Sequence, residues 1–121
     1  MSNTTQKGSF YEDIAKDFLQ KRGLTLLSRN FRHRQGEIDL IMRHDGTVVF
    51  VEVRYRKQDS HGSAEESITY RKQKSIISTA NYFLMKNKLW DTPCRFDVLT
   101  IKPSNKVLQS HEINWIMAAF D

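Results

Sequence analysis

Two acidic residues, Asp39 and Glu52, flank the dipeptide Asp45-Gly46, and each sits in a run rich in β-branched and aromatic residues, Glu37 to Arg43 and Thr47 to Arg56. Asp-Gly between two such runs is the strongest short-range signal for a two-residue hairpin. With Asp45 and Gly46 as the loop, His44 pairs with Thr47, and Asp39 then lies directly opposite Glu52. In the same register Ile38 faces Val53, Leu40 faces Val51 and Met42 faces Val49, which makes one face of the ribbon apolar. The other face carries Glu37 opposite Arg54, Asp39 opposite Glu52, and Ile41 opposite Phe50. Carboxylates facing each other across strands, with Cβ atoms about 4.5–5.5 Å apart, repel unless positive charge lies between them. A divalent cation supplies that charge, because Mg²⁺ is held by hard oxygen ligands, commonly one or two carboxylates completed by water and a substrate phosphate. The alternative is a surface ion network in which Arg54 or Arg56 neutralises the pair and no chemistry follows.

The elements around the hairpin follow from spacing and punctuation. Ser9 and Glu12 match the S-x-x-E capping box, and Phe10, Ile14, Phe18 and Leu19 recur at helical spacing until Gly23, which predicts a helix over about 10–22. Leu24 to Phe31 is expected to be a strand, and Arg32-His33-Arg34-Gln35-Gly36 a turn. Lys57 to Glu66 is polar and reads as a loop, and Thr69 to Asn87 carries Ile76, Ile77, Ala80, Phe83 and Leu84 at helical spacing. Cys94 to Lys102 is a strand, and Pro103-Ser104-Asn105 turns the chain toward Val107 and Leu108. The segment His111 to Asp121 is apolar and fits core or interface equally. This order gives an α/β fold with a mixed sheet, the hairpin at its centre and helices flanking it.

Composition sets the outer bounds. A chain of 121 residues, with no repeat, low-complexity tract or linker, is expected to be a single domain over residues 1–121. The lone Cys94 allows neither an intramolecular disulfide nor a CxxC metal pair and fits a reducing compartment, so the cytoplasm is the expected location. Mean hydropathy is −0.58, and apolar runs such as Val48 to Val51 are far short of the ~18 residues of a membrane span. No membrane association is expected, and the opening residues lack the pattern of a secretory signal. Nineteen Lys+Arg against fourteen Asp+Glu, a net charge of +5, favour polyanionic partners. His33, His44, His61 and His111 show no metal-ligand spacing, and no phosphate-binding glycine loop or G-x-S-x-G is present.

The run Gly36-Glu37-Ile38-Asp39-Leu40-Ile41, followed by Val49-Phe50-Val51-Glu52-Val53-Arg54-Tyr55-Arg56, resembles the YraN family of small bacterial proteins, which are similar to Holliday-junction resolvases and restriction endonucleases. The resemblance extends to Glu12, to Arg71-Lys72-Gln73, to Ala80 and Leu84, and to Cys94-Arg95-Phe96-Asp97-Val98. It implies a restriction-endonuclease-like core in which acidic residues on adjacent strands bind Mg²⁺ or Mn²⁺ and a phosphodiester is hydrolysed. Asp39 and Glu52 then take the acidic, metal-binding positions, Arg54 the final basic one, and Glu12 the early helical glutamate. Arg54 stands where many relatives of this fold have lysine. Arginine stays protonated and cannot act as a general base, but its planar fork can grip phosphate oxygens and stabilise developing charge.

The resulting expectation is an Mg²⁺-dependent endonuclease acting on DNA, branched or flapped DNA included. The alternative is a non-catalytic nucleic-acid-binding module of the same fold; a third option is a structural partner in a larger DNA-processing complex. Arg34, Arg56, Lys72 and Lys74, with Arg32, Lys57 and Arg71, are the candidate phosphate contacts, and a homodimer is expected by analogy with resolvases. Glu37 is expected to hold Arg54 across the strands, and Gln73, Asp97 and the tyrosines Tyr55, Tyr70 and Tyr82 are lesser candidates.

Overall fold

The computed structural model describes residues 3–34, 36–56, 68–104 and 110–121. In chain order the elements are α1 (Asn3–Gln20), β1 (Thr25–His33), β2 (Gly36–His44), β3 (Thr47–Tyr55), α2 (Tyr70–Lys86), β4 (Cys94–Pro103) and β5 (His111–Phe120). The five strands form one mixed sheet in the order β1-β2-β3-β4-β5, antiparallel except for the parallel pair β3 and β4. Parallel neighbours need a long crossover, and α2 lies within it.

The helices cover opposite faces of the sheet. Ala15 and Leu19 of α1 are buried with Leu40, Met42, Val49, Val51, Leu99 and Ile101. Ile76, Ala80, Phe83 and Leu84 of α2 are buried with Ile38, Ile41, Val48 and Phe50. The central strand β3 is therefore apolar on both sides, with Val49 and Val51 toward α1 and Val48 and Phe50 toward α2.

The ends of α2 follow the expected signals. The Thr69 side chain accepts a hydrogen bond from the Lys72 N–H at 3.1 Å, and Asn87 closes the helix. Gly23, at φ +95°, ends α1 with Leu24 N–H bonded to Leu19 O and Gly23 N–H to Gln20 O, both at 3.1 Å. The start of α1 differs from expectation. The helix begins at Asn3, so Ser9 lies inside it and Ser9 with Glu12 is no capping box. Arg32 and His33 extend β1, and His111 to Phe120 is an edge strand. The expected loop at Lys57 to Glu66 and the residues Val107 and Leu108 lie outside the described residues.

The hairpin register is as the sequence predicts from His44↔Thr47 to Leu40↔Val51, with Asp45 at φ +57°. The regular ladder stops there. The Asp39 carboxylate accepts the Val53 N–H at 2.8 Å, a bond to a side chain where a cross-strand carbonyl would have served. Alternation breaks at the same point, and Ile38 packs with Ile41 and Phe50 on the α2 side, not with Leu40 and Met42. The expected pairs Asp39–Glu52, Ile38–Val53 and Glu37–Arg54 are therefore not ladder partners.

Gly36 opens β2 at its closest approach to α2. A Cβ there would lie 1.9 Å from Thr79 Oγ1 and 3.1 Å from Ser75 O, so any side chain must displace the Thr79 hydroxyl and crowd the helix backbone. Gly36→Ala is expected to cost about 1–3 kcal/mol, as overpacking does, read as a lower urea midpoint with an unchanged slope.

Candidate functional site

The point where β2 and β3 part gathers the acidic residues. By alternation Glu52 and Arg54 follow Phe50 on the α2 face of β3, and Glu52 is 7% exposed. The Asp39 carboxyl donates a hydrogen bond to Glu52. Its pKa is raised from 3.8 to about 7, first by burial and then by the Glu52 charge, against the lowering effect of the Val53 N–H; Glu37 adds a smaller push upward. Glu12 of α1 reaches the same place from the other face. Its pKa is raised by burial and next by the charge of Asp39, and is held down in part by the side chains of Asn30 and Arg29. Three carboxyl groups thus act on one another here.

Positive charge inside the cluster is sparse. Arg54 Nε lies 4.0 Å from Glu52 Oε1, an ion pair at the limit of contact, and it is a buried donor with no hydrogen-bond partner among the described residues. Glu37 is paired with Arg32 of β1, not with Arg54, because the β1–β2 register brings Arg32 opposite it while the β2–β3 ladder has ended. Arg29 holds Glu12 from β1, at 3.5 Å, and Asp13 at 2.7 Å.

The donor set fits a hard divalent cation in a specific, limited way. The Asp39 carboxyl, which keeps its proton up to about pH 7 beside Glu52, would be relieved by a cation. Among the described residues no three His, Cys, Asp or Glu side chains form a group placed to hold a metal ion. Asp39 and Glu52 would thus be its protein ligands, and water and a phosphate would have to complete the shell.

The basic candidates are spread around this centre. Arg34 is exposed in the β1–β2 turn, Lys72 and Lys74 sit in the first turns of α2, and Arg56 follows β3 with its backbone N–H on Ile101 O. Lys57 lies outside the described residues. Gln73 donates to Ile68 O at 3.1 Å, a local backbone brace. Of the tyrosines, Tyr55 stacks on Tyr11 and Tyr82 on His33, while Tyr70 is 72% exposed beneath Lys74. Asp97 stands apart from the acid cluster. It is fully buried and accepts bonds from Arg95 Nε at 3.0 Å and from Trp115 Nε1 and Ala118 N at 2.9 Å, which makes it a clamp between β4 and β5.

The profile of the uncharacterised protein family UPF0102 matches residues 11–101, a span that includes α1 from Tyr11, the hairpin, α2 and β4 as far as Ile101. The chain belongs to the UPF0102 family. It is similar to a UPF0102 protein of Nitrosomonas europaea, 50% identical over 121 residues, which cover all of this chain and 98% of that one. A UPF0102 protein of Aliivibrio fischeri is 46% identical over 97% of this chain and 93% of its own length. One from Pseudomonas syringae pv. syringae is 43% identical over 99% and 97%.

Within this UPF0102 chain, spacing alone does not reveal Arg29 and Asn30, which brace Glu12 from a strand seventeen or more residues away. The φ of +53° at Asn30 does have a sequence signal, since asparagine tolerates the left-handed region better than most residues. No helix among the described residues is long and apolar enough to cross a membrane.

Proposed function

We propose that this protein is a divalent-cation-dependent endonuclease that hydrolyses phosphodiester bonds in DNA, with branched or flapped DNA as the first substrates to examine. The observation that carries the reading is the meeting of Asp39 and Glu52 at the point where two central strands part, with an Asp39 pKa of about 7. The mixed sheet, with Asp39 on one strand and Glu52-x-Arg54 on the next, supports a restriction-endonuclease-like core. A bound Mg²⁺ or Mn²⁺ would lower the pKa of a water and neutralise the scissile phosphate. Asp39 and Glu52 would hold that cation, with Asp39 giving up its proton to solvent. Arg54, whose Nε has no hydrogen-bond partner among the described residues and only a long contact with Glu52, offers a donor to a phosphate oxygen, and Glu12 would add negative charge that favours the cation.

One observation favours a second reading, a DNA-binding module without cleavage. Arg54 remains charged and its Nε lies 4.0 Å from Glu52, so it partly supplies the positive charge that a metal would bring. Incubation of a labelled four-way junction with Mg²⁺ separates the two. The endonuclease reading expects cleavage that EDTA abolishes and that Asp39→Asn lowers by more than about a hundredfold, since loss of supporting groups alone costs 10–100-fold. Salt-sensitive binding of the junction in EDTA, with no cleavage in Mg²⁺ or Mn²⁺, would establish the module instead.

A further inference from the structure

A cleft of about 280 Å³ opens where the β1–β2 turn meets the middle of α2, lined by His33, Arg34, Gly36, Ser75, Ser78 and Thr79. Among the described residues the lining holds a guanidinium, an imidazole and three hydroxyls, and no carboxylate. Gly36 keeps it open, because a Cβ at that position would run into Thr79 Oγ1 and crowd the Ser75 hydroxyl. The walls are fixed. The His33 ring stacks flat on Tyr82, with centroids 3.5 Å apart and 7° between planes, and the Thr79 hydroxyl is anchored on Ser75 O at 2.9 Å. Lys72 lies one turn before Ser75 on the same side of α2.

We infer that this cleft seats a backbone phosphate of the DNA strand whose scissile bond lies at the acid pair. The inference rests on the nucleic-acid reading above and adds a second contact to it. Gly36 and Ile38 approach α2 on the face of the sheet that carries Glu52 and Arg54. Gly36 precedes Asp39 by three residues of β2, about 10 Å at ~3.3 Å per residue. A phosphate in the cleft therefore sits close along the strand to the bond to be cut and sets its register, as backbone contacts do without reading sequence.

Fluorescence anisotropy of a labelled duplex DNA in EDTA, over a series of salt concentrations, tests this without any metal. Arg34→Ala is expected to weaken binding roughly three- to tenfold and to lower the salt slope by about 1. Ser78→Glu, which places a carboxylate in the cleft, should weaken it further, while Lys86→Ala at the far end of α2 changes affinity less than about twofold. Both Arg34 and Ser78 are exposed, and thermal melts verify that each variant folds. If wild type binds and both cleft variants behave like Lys86→Ala, the phosphate seat is wrong while the DNA reading stands. If wild type binds no DNA, both fail. Competition by inorganic phosphate at constant ionic strength, with the salt slope of Arg34→Ala unchanged, would mark a free-phosphate pocket and overturn the backbone seat.

Discussion

Asp97→Ala is expected to lower the stability of the fold by about 3–5 kcal/mol, the cost of breaking a buried ion pair from one side. The carboxylate is fully buried and receives the Arg95 guanidinium, the Trp115 indole N–H and the Ala118 backbone N–H, so its removal strands three donors at once. Ala118 has a φ of +51°, and the β4–β5 register shifts between Phe96 and Val98, so Asp97 is what holds an irregular edge strand in place. Asp97→Asn keeps one carbonyl acceptor and should lose roughly half as much. Urea unfolding monitored at Trp115 measures both. A loss below about 1 kcal/mol for the alanine variant would mean that β5 is held by its apolar contacts alone.

Asp39→Asn is expected to do the opposite to stability while removing function. The pKa of Asp39 lies near 7 in the fold against an ordinary 3.8, so the folded protein holds an extra proton between these values. Stability is therefore greatest below about pH 4 as far as this group is concerned, and falls as pH rises through 7. Three pKa units set an upper bound of about 4 kcal/mol, and solvent relaxation around a half-buried group reduces that to about 2. Asparagine keeps an oxygen for the Val53 N–H and carries no charge. The variant should melt several degrees above wild type at pH 8, with the gain falling to less than about half of that by pH 5 and vanishing below about pH 4. A gain that is the same at both pH values would show that the charge on Asp39 is not what strains the site. A residue kept at a cost to stability in an otherwise well-packed sheet is what a cation- or substrate-binding role leads one to expect.

The sequence made some of this legible and hid the rest for identifiable reasons. The hairpin and α2 could be read because their signals are local: Asp45-Gly46 fixes the register, and Thr69 and Asn87 bracket a run of helically spaced apolar residues. That register predicted Asp39 opposite Glu52; the two carboxyl groups do act on each other, but the ladder ends one pair short of them. The switch of Ile38 to the α2 side did not, because alternation assumes an unbroken ladder and the Asp39 side chain interrupts it by taking the Val53 N–H. The early start of α1 was hidden because Asn3 to Gly8 carries no apolar periodicity, which made Ser9 look like a cap. The edge strand β5 was ambiguous because Ala118 and the adjoining bulge disturb its alternation. The Asp97 clamp joins residues 18 and 21 positions apart, and no local pattern announces such a contact. Glu12 was matched through family resemblance, and only the fold shows its charge meeting that of Asp39.

Cation binding by the acid pair is the central requirement of the endonuclease reading. Isothermal titration of Mn²⁺ and Mg²⁺ into wild type and the Asp39→Asn/Glu52→Gln double variant, both at pH 8 and with thermal melts to verify folding, tests it most directly. The prediction is binding to wild type that weakens toward pH 6 as Asp39 takes up its proton, and none to the variant. Equal binding by the two proteins, or no binding by wild type even with duplex DNA present, would contradict it.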